Sequence, residues 1–347
     1  MASVGAAFPP HFYGQEELLA SFREHWGARY FNLARLEQLH RNVRVGGRHL
    51  ALAMDEYPKL AGFGAANDAW IRVATEVGAA AVEDALARAG LGVADVAALF
   101  FVTVTGVATP SIDARLVNRL ALRPDVKRVP IFGLGCVAGA AGVARAADYV
   151  RAFPGEAAVL LSVELCSLTL QREDLSIPNL IASGLFGDGA AAAVVTGAAR
   201  GGDGPEVVAT RSVFYPDSER VMGWDISETG FRIVLSSDVP GVVERHLRGD
   251  VDAFLAAHGL ARADIASWVC HPGGPKVLEA MESALELPRE ALELTWRSLA
   301  EIGNLSSTSV LLVLRDTLAE RRPPPGSFGM LLALGPGFCS ELVLLRW

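Results

Sequence analysis

The 347-residue sequence predicts an α/β protein in which one strand-and-helix unit occurs twice, in halves spanning 1–200 and 201–347. Three observations predict it. With 51% hydrophobic and 20% charged residues, the chain can bury a large core, and continuous apolar runs such as AALFFVTVT (97–105) and AAVLLSVEL (157–165) read as strands covered on both faces. The segments 85–106 and 254–274 share Gly-Leu, then Ala-Asp, then a strand. Their aspartates, Asp95 and Asp264, lie 169 positions apart, and a nearly equal shift of 168 carries Gly135-Cys136 onto Gly303-Asn304. Finally, the turn-rich stretch 197–205 (GAARGGDGP) breaks all apolar periodicity and marks the boundary between the halves.

Taken in order, residues 15–40 read as a helix from the spacing of Leu18, Leu19, Phe22 and Trp26, followed by Leu33, Leu36 and Leu39. Arg41, Arg44 and Arg48 follow, near Gly46-Gly47, which is expected to end the helix. They form a solvated rim or a clamp for an anionic ligand's phosphates. Residues 67–90 read as a second long helix, 97–105 as a strand, and 106–110 as a loop. The stretch IFGLGCVAGAAGVARAADY (131–149) places Cys136 on a glycine turn that opens an Ala-rich helix. At such a helix mouth the unpaired N–H groups and the macrodipole favour a thiolate, the attacking form of sulfur. Taken alone, Cys136 equally suits a small core residue in tight helix packing. The strand at 157–165 ends at Cys166, residues 167–185 read as irregular around Pro178, and the glycine turn of LFGDGAAAAVVTG feeds a further strand. In the second half, His271 ends a repeated strand, Asn304 precedes a helix over 305–319 that it equally suits as a cap, and 328–334 reads as the counterpart of 157–165.

Composition excludes several classes. A net charge of −8 and the lack of a polybasic run argue against a nucleic-acid binder. Four cysteines (Cys136, Cys166, Cys270, Cys339) form no CxxC pair, so neither a metal nor structural disulfides is indicated, and a reducing cytoplasm fits. No uninterrupted apolar run reaches the roughly 18 residues of a membrane span.

GLGCVAGAAG around Cys136, GLFGDGAAA around Phe186, CHPGGPKVLEA around His271, IGNLSSTSVL around Asn304 and the GPG of 335–337 together resemble the type III polyketide synthases, the chalcone-synthase-like group of the thiolase superfamily. The resemblance covers nearly the whole chain. It implies a thiolase fold in five layers, αβαβα, a homodimer, and a Cys136–His271–Asn304 centre beside Phe186, which matches the phenylalanine that guides malonyl decarboxylation. It also implies CoA thioesters as substrates, with no separate cofactor. Cys136 would attack an acyl thioester, with a cationic His271 lowering its pKa, and His271 and Asn304 would stabilise the enolate left when malonyl-CoA loses CO2.

By the same resemblance Val104, Thr105, Cys166, Thr169, Ile233 and Ser306 fall near the cavity lining, Thr109 reaches toward the neighbouring subunit ahead of a cis bond at Pro110, and Arg41, Arg44 and Arg48 lie near the CoA-binding stretch. The modest side chains at Thr109, Thr169 and Ile233 point to an unobstructed apolar cavity. The expected reaction is therefore extension of a medium- or long-chain fatty acyl-CoA by malonyl-CoA to an alkylpyrone or alkylresorcinol. The alternatives are a tetrahydroxynaphthalene synthase using malonyl-CoA alone, a ketoacyl carrier-protein synthase III-like enzyme, and a noncatalytic thiolase-like binding subunit. HPGGPK at 271–276 departs from the HQAN-like motif of the ketoacyl carrier-protein synthase III group. Cys339 is the position to compare with the second cysteine of thiolases. Val104 departs from the naphthalene-forming enzymes, which commonly carry a cysteine there.

Overall fold

The computed structural model describes residues 1–26 and 32–347. The first half contributes β1 (Ser3–Ala7), β2 (His11–Gly14), α1 (Gln15–Trp26), α2 (Leu33–Asn42), β3 (Gly47–Leu50), α3 (Gly62–Ala89), β4 (Val96–Thr103), α4 (Ile112–Arg119), β5 (Lys127–Phe132), α5 (Ala138–Ala152), β6 (Ala157–Leu165), α6 (Ile177–Leu185) and β7 (Asp188–Thr196). The second contributes β8 (Glu206–Phe214), β9 (Met222–Ser227), β10 (Gly230–Leu235), α7 (Val239–Ala256), β11 (Ile265–Cys270), α8 (Pro275–Leu285), α9 (Glu293–Ile302), α10 (Ser307–Glu320), β12 (Phe328–Gly335) and β13 (Cys339–Arg346).

Two sheets, in the orders β1-β7-β6-β4-β5 and β11-β12-β13-β8, follow one plan. β4 pairs parallel with β6 as β11 does with β12, and the next two partners in each sheet run antiparallel. The repeated aspartates explain part of this identity. Asp95 accepts from the Gly92 N–H at 2.9 Å and Asp264 from the Ala261 N–H at 2.8 Å, so each closes the same turn ahead of its strand.

Five layers result. α3 covers the outer face of the first sheet, α5 and α10 lie between the sheets, and α7 and α8 cover the outer face of the second. Their sequences suit these places. Val310 through Leu314 are all fully buried, as a helix apolar on every side must be. α5 is instead built from Ala and Gly, which lets α10 approach closely: a Cβ at Gly139 would overlap the Ser307 carbonyl oxygen and the Val310 side chain. This is a thiolase-like fold, and among the described residues no helix is long and apolar enough to cross a membrane.

Some local expectations change. The single helix over 15–40 is two helices, α1 and α2, and residues 27–31 between them lie outside the described residues. α2 ends at Asn42, ahead of Gly46-Gly47, and Gly47 instead opens β3. The irregular stretch at 167–185 contains α6, in which Pro178 occupies the first turn, where no helical N–H is lost.

Candidate active site

Cys136 sits in a single 3-10 turn, Gly135–Val137, that leads into α5. Gly135 has φ 56°, and a Cβ there would press on the Pro336 ring, so glycine lets the GPG turn after β12 close over the nucleophile's turn. In the other half, Asn304 holds the matching place before α10. It is fixed by a backbone bridge to Phe186: the Asn304 N–H donates to the Leu185 carbonyl and the Gly187 N–H donates to the Asn304 carbonyl, each at 2.9 Å. The Asn304 side chain is oriented at both ends. Its Oδ1 accepts from the Ser306 N–H at 2.7 Å and its Nδ2 donates to the Gly273 carbonyl at 3.2 Å. Ser306 has φ 47°, an uncommon backbone for a residue with a Cβ. His271 follows β11, its N–H donating to the Leu332 carbonyl at 2.9 Å. Both its ring nitrogens are buried without a partner among the described residues.

A cavity of about 500 Å³ brings Cys136, Phe186, His271, Asn304, Val104, Cys166, Ile233 and Ser306 together, within the ~300–1,000 Å³ of small-molecule sites. Thr169 lines a smaller neighbouring cavity of about 130 Å³, also bordered by Cys166, Phe186 and Ile233. Other expected positions fall elsewhere. Thr105 borders neither cavity and spends its hydroxyl on Glu164 and the Leu165 N–H, each at 3.0 Å. Thr109 is exposed outside both, and its bond to Pro110 is cis. Arg41 faces solvent beside Glu16 and Glu37, while Arg44 pairs with Glu279 at 2.9 Å and covers the Trp296 ring. Arg48 is only 3% exposed and donates to the Phe186 carbonyl at 2.8 Å, so it does not stand with the other two as a surface clamp for phosphates. Cys339 donates to the Pro336 carbonyl at 3.2 Å and does not line the catalytic cavity.

Burial works against the expected thiolate. Burial pushes the Cys136 thiol up to about 12, which a hydrogen bond with Ser306 opposes and the Glu164 charge reinforces. Burial likewise pulls His271 down to about 3, so the imidazole is neutral and provides no cation.

Sequence reasoning missed three contributors. Glu164, wholly buried, accepts from the Val104 N–H at 3.1 Å and from the Thr105 and Ser307 hydroxyls, tying both halves together beneath Cys136. Burial raises its pKa, and those hydrogen bonds oppose the rise. As the one charge in the apolar run AAVLLSVEL, it carried a readable signal. Trp224, from β9, lines both cavities, and exposed Lys276 lies at the rim of the larger one.

Two family models match, the N-terminal domain of chalcone and stilbene synthases over residues 1–199 and the C-terminal domain over 206–347. A 1,3,6,8-tetrahydroxynaphthalene synthase of Streptomyces peucetius subsp. caesius is 54% identical over 100% of this chain and 93% of its own length. A putative chalcone synthase of Bacillus subtilis (strain 168) is 37% identical over 99% of this chain and 98% of its own. The crystal structure of 1,3,6,8-tetrahydroxynaphthalene synthase from Streptomyces coelicolor A3(2), a bacterial type III polyketide synthase, superposes with a TM-score of 0.95 at 32% identity, covering 100% of this chain and 98% of that one. With the duplicated fold and the Cys136, His271 and Asn304 cavity in place, these likenesses make the chain a member of the chalcone and stilbene synthase family, a type III polyketide synthase.

Proposed function

We propose that the enzyme makes 1,3,6,8-tetrahydroxynaphthalene from malonyl-CoA alone. The observation that carries this reading is the 54% identity, along the entire chain, with a synthase of that name. It favours the malonyl-only alternative over the fatty acyl starter and alkylpyrone product expected from the small cavity residues. That expectation overlooked Trp224, a bulky side chain that lines both cavities.

In this reading Cys136 is the nucleophile. Its thiol rests protonated, and neutral His271, with free ring nitrogens in the same cavity, takes the proton as the sulfur attacks a thioester carbonyl. The C–S bond to CoA breaks and CoA leaves as its thiol. A second malonyl thioester then loses CO2, the electrons of the broken C–C bond forming an enolate. One Asn304 amide N–H is held by Gly273, leaving the other to donate to the enolate oxygen with an N–H of His271. The enolate carbon attacks the acyl-Cys136 carbonyl and expels the thiolate. Phe186 borders the space where the carboxylate departs. CoA phosphates reach the rim, where Lys276 has no protein partner among the described residues, and Arg41 and Arg44 stand farther out.

The enzyme acts as a cytoplasmic homodimer in this reading. β5 is an edge strand, with Phe132 47% exposed at its end and Leu134 36% exposed just beyond it. Sedimentation at micromolar concentration checks the dimer, which a monomer would refute. Incubation with malonyl-CoA alone, and with lauroyl- to palmitoyl-CoA added, checks the reaction. Malonyl-CoA alone should give a naphthalene product that air oxidises to flaviolin. Alkylpyrones from the acyl starters, without any naphthalene, would overturn the reading.

A further inference from the structure

The smaller cavity is lined by a buried cation, Arg48, that has no ion-pair partner among the described residues. Arg48 gives Nη1 to the Phe186 carbonyl, but among the described residues its buried Nε and Nη2 have no hydrogen-bond partner and no carboxylate forms an ion pair with it. The nearest acid by charge is Asp188, which accepts instead from the Ala51 N–H at 2.6 Å and the Ser167 N–H at 2.8 Å. Nε and Nη2 form one edge of the guanidinium, the edge that takes both oxygens of a carboxylate at once. His25 borders the same cavity, and its buried Nε2 also has no partner among the described residues. Arg172 adds a second guanidinium, and no aspartate or glutamate is among the lining residues. A buried charge left unpaired costs several kcal/mol, so a site of this composition is completed by an anion.

The position of the cavity identifies the anion. It shares Cys166, Phe186, Trp224 and Ile233 with the catalytic cavity, so it lies beyond the wall that a chain growing on Cys136 would meet. We propose that Arg48, with His25 and Arg172, forms a subsite for the free carboxylate at the far end of an acyl chain held on Cys136, and thereby selects a dicarboxylic starter over a neutral one. The inference rests on the malonyl-only reading, in which a malonyl unit loaded without losing CO2 carries such a carboxylate. A hydrocarbon tail would leave the guanidinium edge unpaired.

Loading of Cys136 by succinyl- and glutaryl-CoA, measured by intact-protein mass spectrometry, is compared with loading by 4-methylpentanoyl- and 5-methylhexanoyl-CoA, in which an isopropyl group replaces the carboxylate. These starters separate carboxylate recognition from malonyl decarboxylation. Wild-type enzyme should load the carboxylates at least tenfold faster. Arg48→Met should cut that preference to threefold or less and Arg48→Lys should restore part of it. Because Arg48 also holds the Phe186 carbonyl, Arg172→Met provides an independent arm, expected to lower the ratio without loss of folded protein. Equal or faster loading of the neutral starters by wild type would overturn the subsite, as would a ratio unchanged in both Met variants. A naphthalene product from malonyl-CoA together with no carboxylate preference removes this subsite and leaves the proposed reaction standing. A retained preference without naphthalene does the reverse.

Discussion

His271 resists protonation because it is buried and no neighbouring group holds its charged form. An unfolded chain takes up that proton near pH 6.5, whereas the folded protein resists until about pH 3. Between those values the unfolded state binds more protons, so the contribution is complete above pH 6.5 and stability falls as pH drops. His40, lowered to about 4 by burial and then by Arg48, acts in the same direction. Each histidine contributes a slope of up to about 1.4 kcal/mol per pH unit. Urea midpoints should therefore decline between pH 6.5 and pH 4.5, and less steeply in His271→Gln, whereas identical slopes would place the acid sensitivity elsewhere. The catalytic assignments are separable too. Cys136→Ala should abolish acyl loading, seen by intact-protein mass spectrometry, while keeping the fold, since only a sulfur leaves. Asn304→Ala should lower malonyl decarboxylation by about 10²–10³ with a smaller effect on loading, and equal losses would point to misfolding.

The pairing of α5 with α10 is the element on which the site depends, since Cys136 and Asn304 stand at their two starts. Gly139→Ala should destabilise the protein by about 1–3 kcal/mol, the usual cost of overpacking, read as a lower urea midpoint, because its Cβ meets a backbone carbonyl that cannot turn aside. Elements of this kind were legible in advance. Strands β4 and β6 announce themselves as unbroken apolar runs, and the repeated aspartates located both β4 and β11. Elements defined by tertiary contact were not: α6 hides behind Pro178, and the β9–β10 hairpin that brings Trp224 and Ile233 to the cavity has little local signature. At the site, residue types and spacing led to Cys136, His271 and Asn304, and the family resemblance added Phe186. The thiolate and cationic imidazole expected with them left out burial, because protonation depends on how much apolar surface closes over the thiol and the imidazole. Arg48 shows the same limit, because three arginines that look alike in sequence become two surface residues and one buried cation once β3 pairs with β2.

At the scale of the molecule, the central layer belongs to both halves at once. Side chains from β4, β6, α5, α10, β12 and β13 pack into one apolar cluster, and Ser307 of the second half donates to Glu164 of the first. The covalent connection between the halves, by contrast, is an exposed turn-rich segment around 201–203. Chain continuity and cohesion are therefore supplied by different parts of the protein. Cut between Gly201 and Gly202, the two pieces should stay together as a noncovalent pair through size-exclusion chromatography, and should separate only at denaturant concentrations that also unfold them. Co-expressed from separate messages, they should assemble an enzyme that loads acyl groups on Cys136. Neither piece should do so alone, since a 1–201 fragment would leave open to water the part of its sheet that α10 covers, the face of α5 turned to α10 and the second sheet, and half of the catalytic centre.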